Sequence, residues 1–375
     1  MTKNILLLLL PLLVSCNNGE QSPYEIAYSG EIDKKYELCF SDCFKLDTTI
    51  DISAVGFVDF NNSNILYADV TTGKLNIFDT TGKFQRSVLG YGRSRREIPT
   101  TEITNFGVSD STYLIFSDLA YYIYDSTFSM INNGYVKTMV RETSSGDVRG
   151  NNPMIYTWAQ RNRGVKLMDG KIFSASSLRR IDIINEKDKY FGEGYTVLKI
   201  DIENSQPENL IGKYSSGYLK NHWKAFGGCT FDFDSQNNMY LSFEADSLVY
   251  KLDKAFNNIS TYGNSGVNMN VNYRELSPSD NLYDDITTER ETKGYYEKIR
   301  VLKGGEMVVR VYRRGDADMA NDGLQIYRDN VLMCDATIPK GFSLAGNDGK
   351  SLYLYKMDED NQTVSIVKAI IIETK

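Results

Sequence analysis

Histidine is almost missing from this chain: His222 is the only one in 375 residues. That excludes a histidine-rich metal centre and an H-E-x-x-H zinc site. No G-x-S-x-G elbow and no S-x-D-x-G-x-x-W Asp box occurs, so the usual marks of serine hydrolases and sialidases are absent. Basic residues are outnumbered, 42 against 49 acidic, for a net charge of −7. A nucleic-acid partner is therefore not expected, because affinity for a phosphate backbone rests on clustered Lys and Arg. Proline is scarce at 7, and no long Ala/Leu/Glu/Lys-rich stretch offers a helical domain. The single long apolar run, residues 5–14 (ILLLLLPLLV), has half of the roughly 20 residues a bilayer-spanning helix needs.

That run, with Lys3 before it, has the form of a signal-peptide core. It is followed by Leu13-Val14-Ser15-Cys16, which resembles the bacterial lipobox, in which a small residue precedes a cysteine that is acylated on sulfur and, after cleavage, on its amine. The expectation is a signal peptide over 1–15, a palmitate-type lipid anchor on Cys16 and a flexible polar tether through residue 23 (NNGEQSP). Each buried methylene is worth about 0.8 kcal/mol, so two or more acyl chains hold a protein stably on a membrane. Asn17 stands where an Asp would favour inner-membrane retention, so an outer-membrane lipoprotein is expected, facing either the periplasm or the exterior. Cleavage also removes Lys3, taking the net charge to −8.

What is abundant is tyrosine, 26 of them, within 12% aromatics, a composition that suits strands. Apart from Cys16, four cysteines remain: Cys39, Cys43, Cys229 and Cys334. An oxidising compartment permits two disulfides among them in any of three connectivities, and the alternative is buried free thiols.

A short alternating strand, usually closed by Asp, recurs along the chain. It appears at 75–79 (LNIFD), 121–125 (YYIYD), 197–201 (VLKID) and 249–253 (VYKLD), with weaker copies at 324–328 (LQIYR) and 364–368 (VSIVK). Each copy follows an apolar strand, as in 65–70 (ILYADV) or 239–244 (MYLSFE). An Asn/Asp/Gly turn opens that strand, and a third strand precedes the turn, as in 55–60 (VGFVDF) or 230–234 (TFDFD). Hairpin-linked strands of this kind form a β-meander that cannot bury both faces alone. Six such units stacked around an axis can, which predicts an all-β, six-bladed β-propeller spanning 24–375 as one domain. The segment 24–46 holds strands outside the count (YEIAYS, YELCF), and one of them is expected to close the ring by pairing with the C-terminal strand. The rival arrangement is two packed β-sandwiches.

Residues 75–98 (LNIFDTTGKFQRSVLGYGRSRREI) carry more than periodicity. They resemble the six-bladed propeller lipoproteins common in Bacteroidetes, a group similar in architecture to NHL-repeat and TolB-like propellers. There a strand ending D-x-x-G-K-F leads to a loop of the form G-x-G-x-G-P-G-E. Gly90, Gly92, Glu97 and Ile98 match that loop, while Ser94-Arg95-Arg96 replaces its central G-P-G. The resemblance implies the propeller fold and says little about activity.

The candidate functional residues are few. Arg93, Arg95 and Arg96 could fork onto carboxylates or phosphates from a loop on one rim; the plainer reading is a solvated loop. His222 and Trp223 are expected in a loop lining the axial channel. Two long insertions, 130–160 and 262–296, carry Tyr156, Trp158 and Arg161 in the first and Tyr273 and Arg274 in the second. That mixture suits a glycan or a protein interface. Asp316, Asp318 and Asp322 have oxygen-ligand character that suits Ca²⁺ but lack EF-hand spacing; a second acidic group is Asp280, Asp284 and Asp285. Two functions fit: a cofactor-free binding or scaffold module for a protein or glycan partner, or a hydrolase or lyase with convergent carboxylates, Ca²⁺-assisted or not, at the axial channel.

Overall fold

A computed structural model describes residues 28–41, 43–61, 63–109, 111–117, 120–136, 156–158, 164–178, 186–275 and 282–374. The expected signal peptide, Cys16, the expected tether, Arg161, Asp280 and most of the insertion 130–160 lie outside these residues. Within them the strands form six small sheets, each an antiparallel meander, and the chain is a six-bladed β-propeller.

The innermost strands, in order around the axis, are Gly56–Asn61, Asn105–Ser109, Val165–Met168, Cys229–Phe233, Tyr295–Leu302 and Ser343–Asn347. Each is followed outward by its hairpin partners. Strand alternation sends successive side chains to opposite faces of a blade. In the first blade Ile65 and Tyr67 face the sixth blade, and Leu66 and Ala68 face the second. The same division repeats around the ring. The described core falls into six apolar clusters, one in each gap between neighbouring blades. The wedge-shaped ring leaves little room at the axis. Gly107, on the second inner strand, sits where a Cβ would come 2.6 Å from the Val165 carbonyl of the third.

Each blade has a fourth, outer strand beyond the three of the sequence repeat. In the first five blades these are Phe84–Leu89, Met130–Tyr135, Gln206–Lys213, Asn258–Gly263 and Val331–Pro339. Met130–Tyr135 is thus the edge of blade two and not the start of an insertion. These strands escape the hydrophobic pattern because one face looks to solvent, as the burial of Phe84–Leu89 shows. In the sixth blade the fourth strand is Tyr36–Phe40 (YELCF), which pairs antiparallel with Thr363–Glu373, so the N-terminal chain closes the ring as expected. The preceding residues extend this into a belt. Tyr28–Ser29 pairs with the outer edge of blade four, and Ile32 bridges to Leu332 on that of blade five.

The closing Asp of the repeat has a local role. Asp79, Asp125 and Asp253 each accept backbone N–H groups from the turn that follows, at 2.8–3.1 Å. The residue three places on, Gly82, Phe128 or Phe256, takes positive φ. Blade five uses instead a two-residue turn, Asp329-Asn330, both at positive φ, as a tight hairpin requires. Three short helices were not expected: α1 (Lys187–Glu193), α2 (Ser216–Asn221) and α3 (Leu282–Thr292). The last is largely polar, so no apolar stripe marks it in the sequence.

Candidate functional site at the axial mouth

In an antiparallel meander, the links between blades and those joining second to third strands emerge at one end of the ring. The helices α1, α2 and α3 lie at that end, where the inner strands begin. At its centre a narrow axial pocket of about 40 Å³ is lined from all six blades, including Asp59, Asn105, Lys166, Thr230, Arg300 and Tyr355. Lys298 lines it as well.

Its charges form a partly closed circuit. Arg300 Nη2 of blade five donates to Asp59 Oδ2 of blade one at 2.9 Å. Lys166 Nζ of blade three lies 2.9 Å from Asp232 Oδ1 of blade four. The other oxygen of Asp232 accepts from Val301 N, and Thr230 Oγ1 accepts from Ile299 N, stitching inner strands four and five together. Burial alone would raise the Asp232 carboxyl; Lys166 and Arg300 nevertheless hold it below the usual carboxylate range. Lys298 has no described hydrogen-bond or ion-pair partner and looks across at the Tyr355 ring from 5.9 Å. Burial first, then repulsion from Arg300, pushes its amine down to about 8. The Nε of Arg300 is also buried without an acceptor. The two described carboxylates of this mouth, Asp59 and Asp232, are each ion-paired with a cationic side chain.

The residues singled out in the sequence surround this mouth at greater distance. Arg93, Arg95 and Arg96 are exposed on the link between blades one and two. The loop beneath them is ordered: Tyr91 bridges to Ile98, Ser94 N donates to Glu97 Oε2 at 2.8 Å, and Tyr124 donates to the Glu97 carbonyl at 2.8 Å. Tyr156–Trp158 adds a short strand against Ser176–Leu178 of blade three.

His222 does not line the channel. It ends α2 in the left-handed conformation, beside Phe191 and with Nε2 2.7 Å from Asp188 Oδ1, on the flank of blades three and four. Trp223 packs edge-on against Tyr218 and Tyr273, and Tyr273 also rests on Phe226. Arg274 is engaged by Asp285 and Glu289, and Lys187 by Glu275. The structure therefore brings His222, Trp223, Tyr273 and Arg274 together as a clasp locking the 262–296 segment over blade four. The clasp's deepest ion pair is Arg290 on Glu244, at 2.8 Å.

The aspartates of 316–322 do not converge. Asp322 is fully buried between Arg313 (2.7 Å) and Lys340 (3.2 Å), Asp318 pairs with Arg314 (2.8 Å), and Asp316 accepts from Asn270 (2.6 Å). No group of three or more metal-ligating side chains occurs among the described residues. All four described cysteines are free thiols; Cys39 and Cys43 are exposed, and Cys229 and Cys334 are buried.

Sequence reasoning missed the axial set. Lys166, Lys298 and Arg300 are scattered singles in alternating strands, and only ring closure gathers them. A charged residue at an inward position of an inner strand was the available signal, legible once the inner strands are known.

Fold and mouth together define the chain as a six-bladed propeller with an ionic axial pocket. The same fold occurs in a member of the DUF4221 family from Bacteroides vulgatus, at TM-score 0.67 and 12% identity over 91% of this chain and 99% of that one. It occurs also in a Bacteroides fragilis protein described as exported, at TM-score 0.54 and 12% identity over 92% and 98%. These propellers accord with the resemblance read from residues 75–98. No family model and no curated protein matches the sequence.

Proposed function

We propose that this chain is an exported lipoprotein, anchored through Cys16 at the outer membrane, whose propeller binds a protein or glycan partner without transforming it. The observation that carries the reading is the convergence of the described helices on one face, around a mouth whose described carboxylates are ion-paired. Such a face offers a broad, mixed surface, and its free arginines at 93, 95 and 96 suit acidic groups on a partner. The description of the Bacteroides fragilis propeller as exported agrees with the leader at 1–15.

Two measurements test it. Metabolic labelling with a palmitate analogue should mark the chain and lose the mark in Cys16→Ser. Site-specific photocrosslinkers placed at Arg93 and Arg95 should trap one defined protein, or the purified chain should bind glycans on an array, in either case less well in the triple Arg93/Arg95/Arg96→Glu variant. Robust turnover of a defined substrate by the purified chain would overturn the non-catalytic reading.

A further inference from the structure

We propose that the axial mouth is a seat for a single carboxylate group, held by Lys298 and the free Nε edge of Arg300. The proposal rests on the reading of this face as a binding surface and names the chemistry at its centre.

Three observations carry it. The pocket receives three cationic side chains, and two of them are already answered: Lys166 by Asp232 and Arg300 by Asp59. Lys298 has the Tyr355 ring and no described ion-pair partner, the acids near it, Asp59 and Glu297, being held by Arg300 and Arg313. An ammonium partly withdrawn from water, with its neighbouring acids already spent on other cations, is costly, and an anion brought to it recovers part of that cost. Second, the guanidinium of Arg300 spends Nη2 on Asp59 and on the Ala345 carbonyl, leaving Nε buried and unanswered. Buried donors without acceptors are rare in folded proteins and mark places where something else is received. Third, the space is about 40 Å³, enough for a few atoms and not for a whole sugar or peptide. Asn105 and Tyr355 complete the lining with neutral polar groups.

Charge and size together select the ligand class. With the two ion pairs cancelled, one positive charge remains, which matches a monoanion better than a phosphate dianion. The group fits as the tip of something larger: a uronic-acid carboxylate or the side chain of an acidic residue on a partner loop, entering along the axis from the link-bearing face.

The depressed amine of Lys298 supplies a pH signature. The charged groups facing it are Asp59 from blade one, Lys166 from blade three, and Glu297 and Arg300 on its own strand, with the Tyr355 ring from blade six. Above about pH 8 the Lys298 amine gives up its proton. Its loss of charge should release the anion.

The test is calorimetric titration of the full chain in detergent with sodium acetate, sodium galacturonate, inorganic phosphate and sodium chloride at matched ionic strength. Acetate and galacturonate should bind at pH 7 and weaken about tenfold for each pH unit above 8. Lys298→Arg, whose guanidinium stays charged, should keep its affinity to pH 10. Lys298→Met should lose at least tenfold at pH 7, with circular dichroism and melting confirming its fold. The proposal is overturned if acetate and galacturonate fail to bind, if chloride or phosphate binds as well as they do, or if Lys298→Arg weakens with pH like the parent. Photocrosslinking at Arg93 and Arg95 is unaffected by failure of the seat, so loss of one reading is distinguishable from loss of the other.

Discussion

Buried side chains with unusual charge states decide most of what can be measured residue by residue. Lys298 has its folded-state amine near 8, below the usual lysine range. Between that value and about 10.4 the unfolded chain binds more protons than the native one, so stability rises with pH across that window. Lys298→Met should be more stable than the parent at pH 7, by on the order of 1–3 kcal/mol, and should show no such rise in urea melts at pH 7, 8.5 and 10. Arg310 is the opposite case. It is fully buried, lies 3.7 Å over the Tyr296 ring, and donates to Gln325 and to the carbonyls of Ser247, Leu248 and Asn264. Arg310→Leu strands those acceptors and should cost about 3 kcal/mol in chemical denaturation; Arg310→Lys should recover little, since an ammonium cannot span the fork. Thiol labelling gives a third check. Cys39 and Cys43 should react in the native protein, while Cys229 and Cys334 should react only after unfolding, the latter with its thiol pushed up to about 11 by burial.

The strands are where sequence and structure agree best. The repeat strands with alternating apolar residues became second and third strands, because both their faces press on neighbouring blades and the pattern is strong. The outer strands were illegible for the converse reason: Met130–Tyr135 and Phe84–Leu89 bury little and look like loop. The closing Asp was visible as a pattern, and its cause, the capture of turn N–H groups, was not. The inner strands were found as strands, yet their place on the axis depends on ring closure, which no local pattern encodes. Gly107 belongs to this scale. Gly107→Ala should force the second and third inner strands apart and destabilise the protein by about 1–3 kcal/mol, seen as a lower denaturation midpoint.

For the whole molecule, the link-bearing face could not be assigned from the sequence, since it needs the order of strands and not merely their number. Once that order is known, the scattered candidates at Arg93, Trp158, Trp223 and Tyr273 fall at one end of the ring. Trp223 and Tyr273, with His222 and Arg274, proved to build the clasp over blade four, so that aromatic and Arg composition marked packing as much as recognition. Deleting residues through Phe40 should leave residues 369–373 of the last strand with an unpaired edge. Size-exclusion chromatography should then show association or aggregation in place of a monomer, as exposed edges invite.

The N-terminal closing strand also imposes an order in time. Tyr36–Phe40 is synthesised about 330 residues before its partner, Thr363–Glu373. The earlier strand must wait for the later one, and the loop that their pairing closes spans the whole ring. Closure of the ring is thus late and slow by topology, and until it happens the chain stays open.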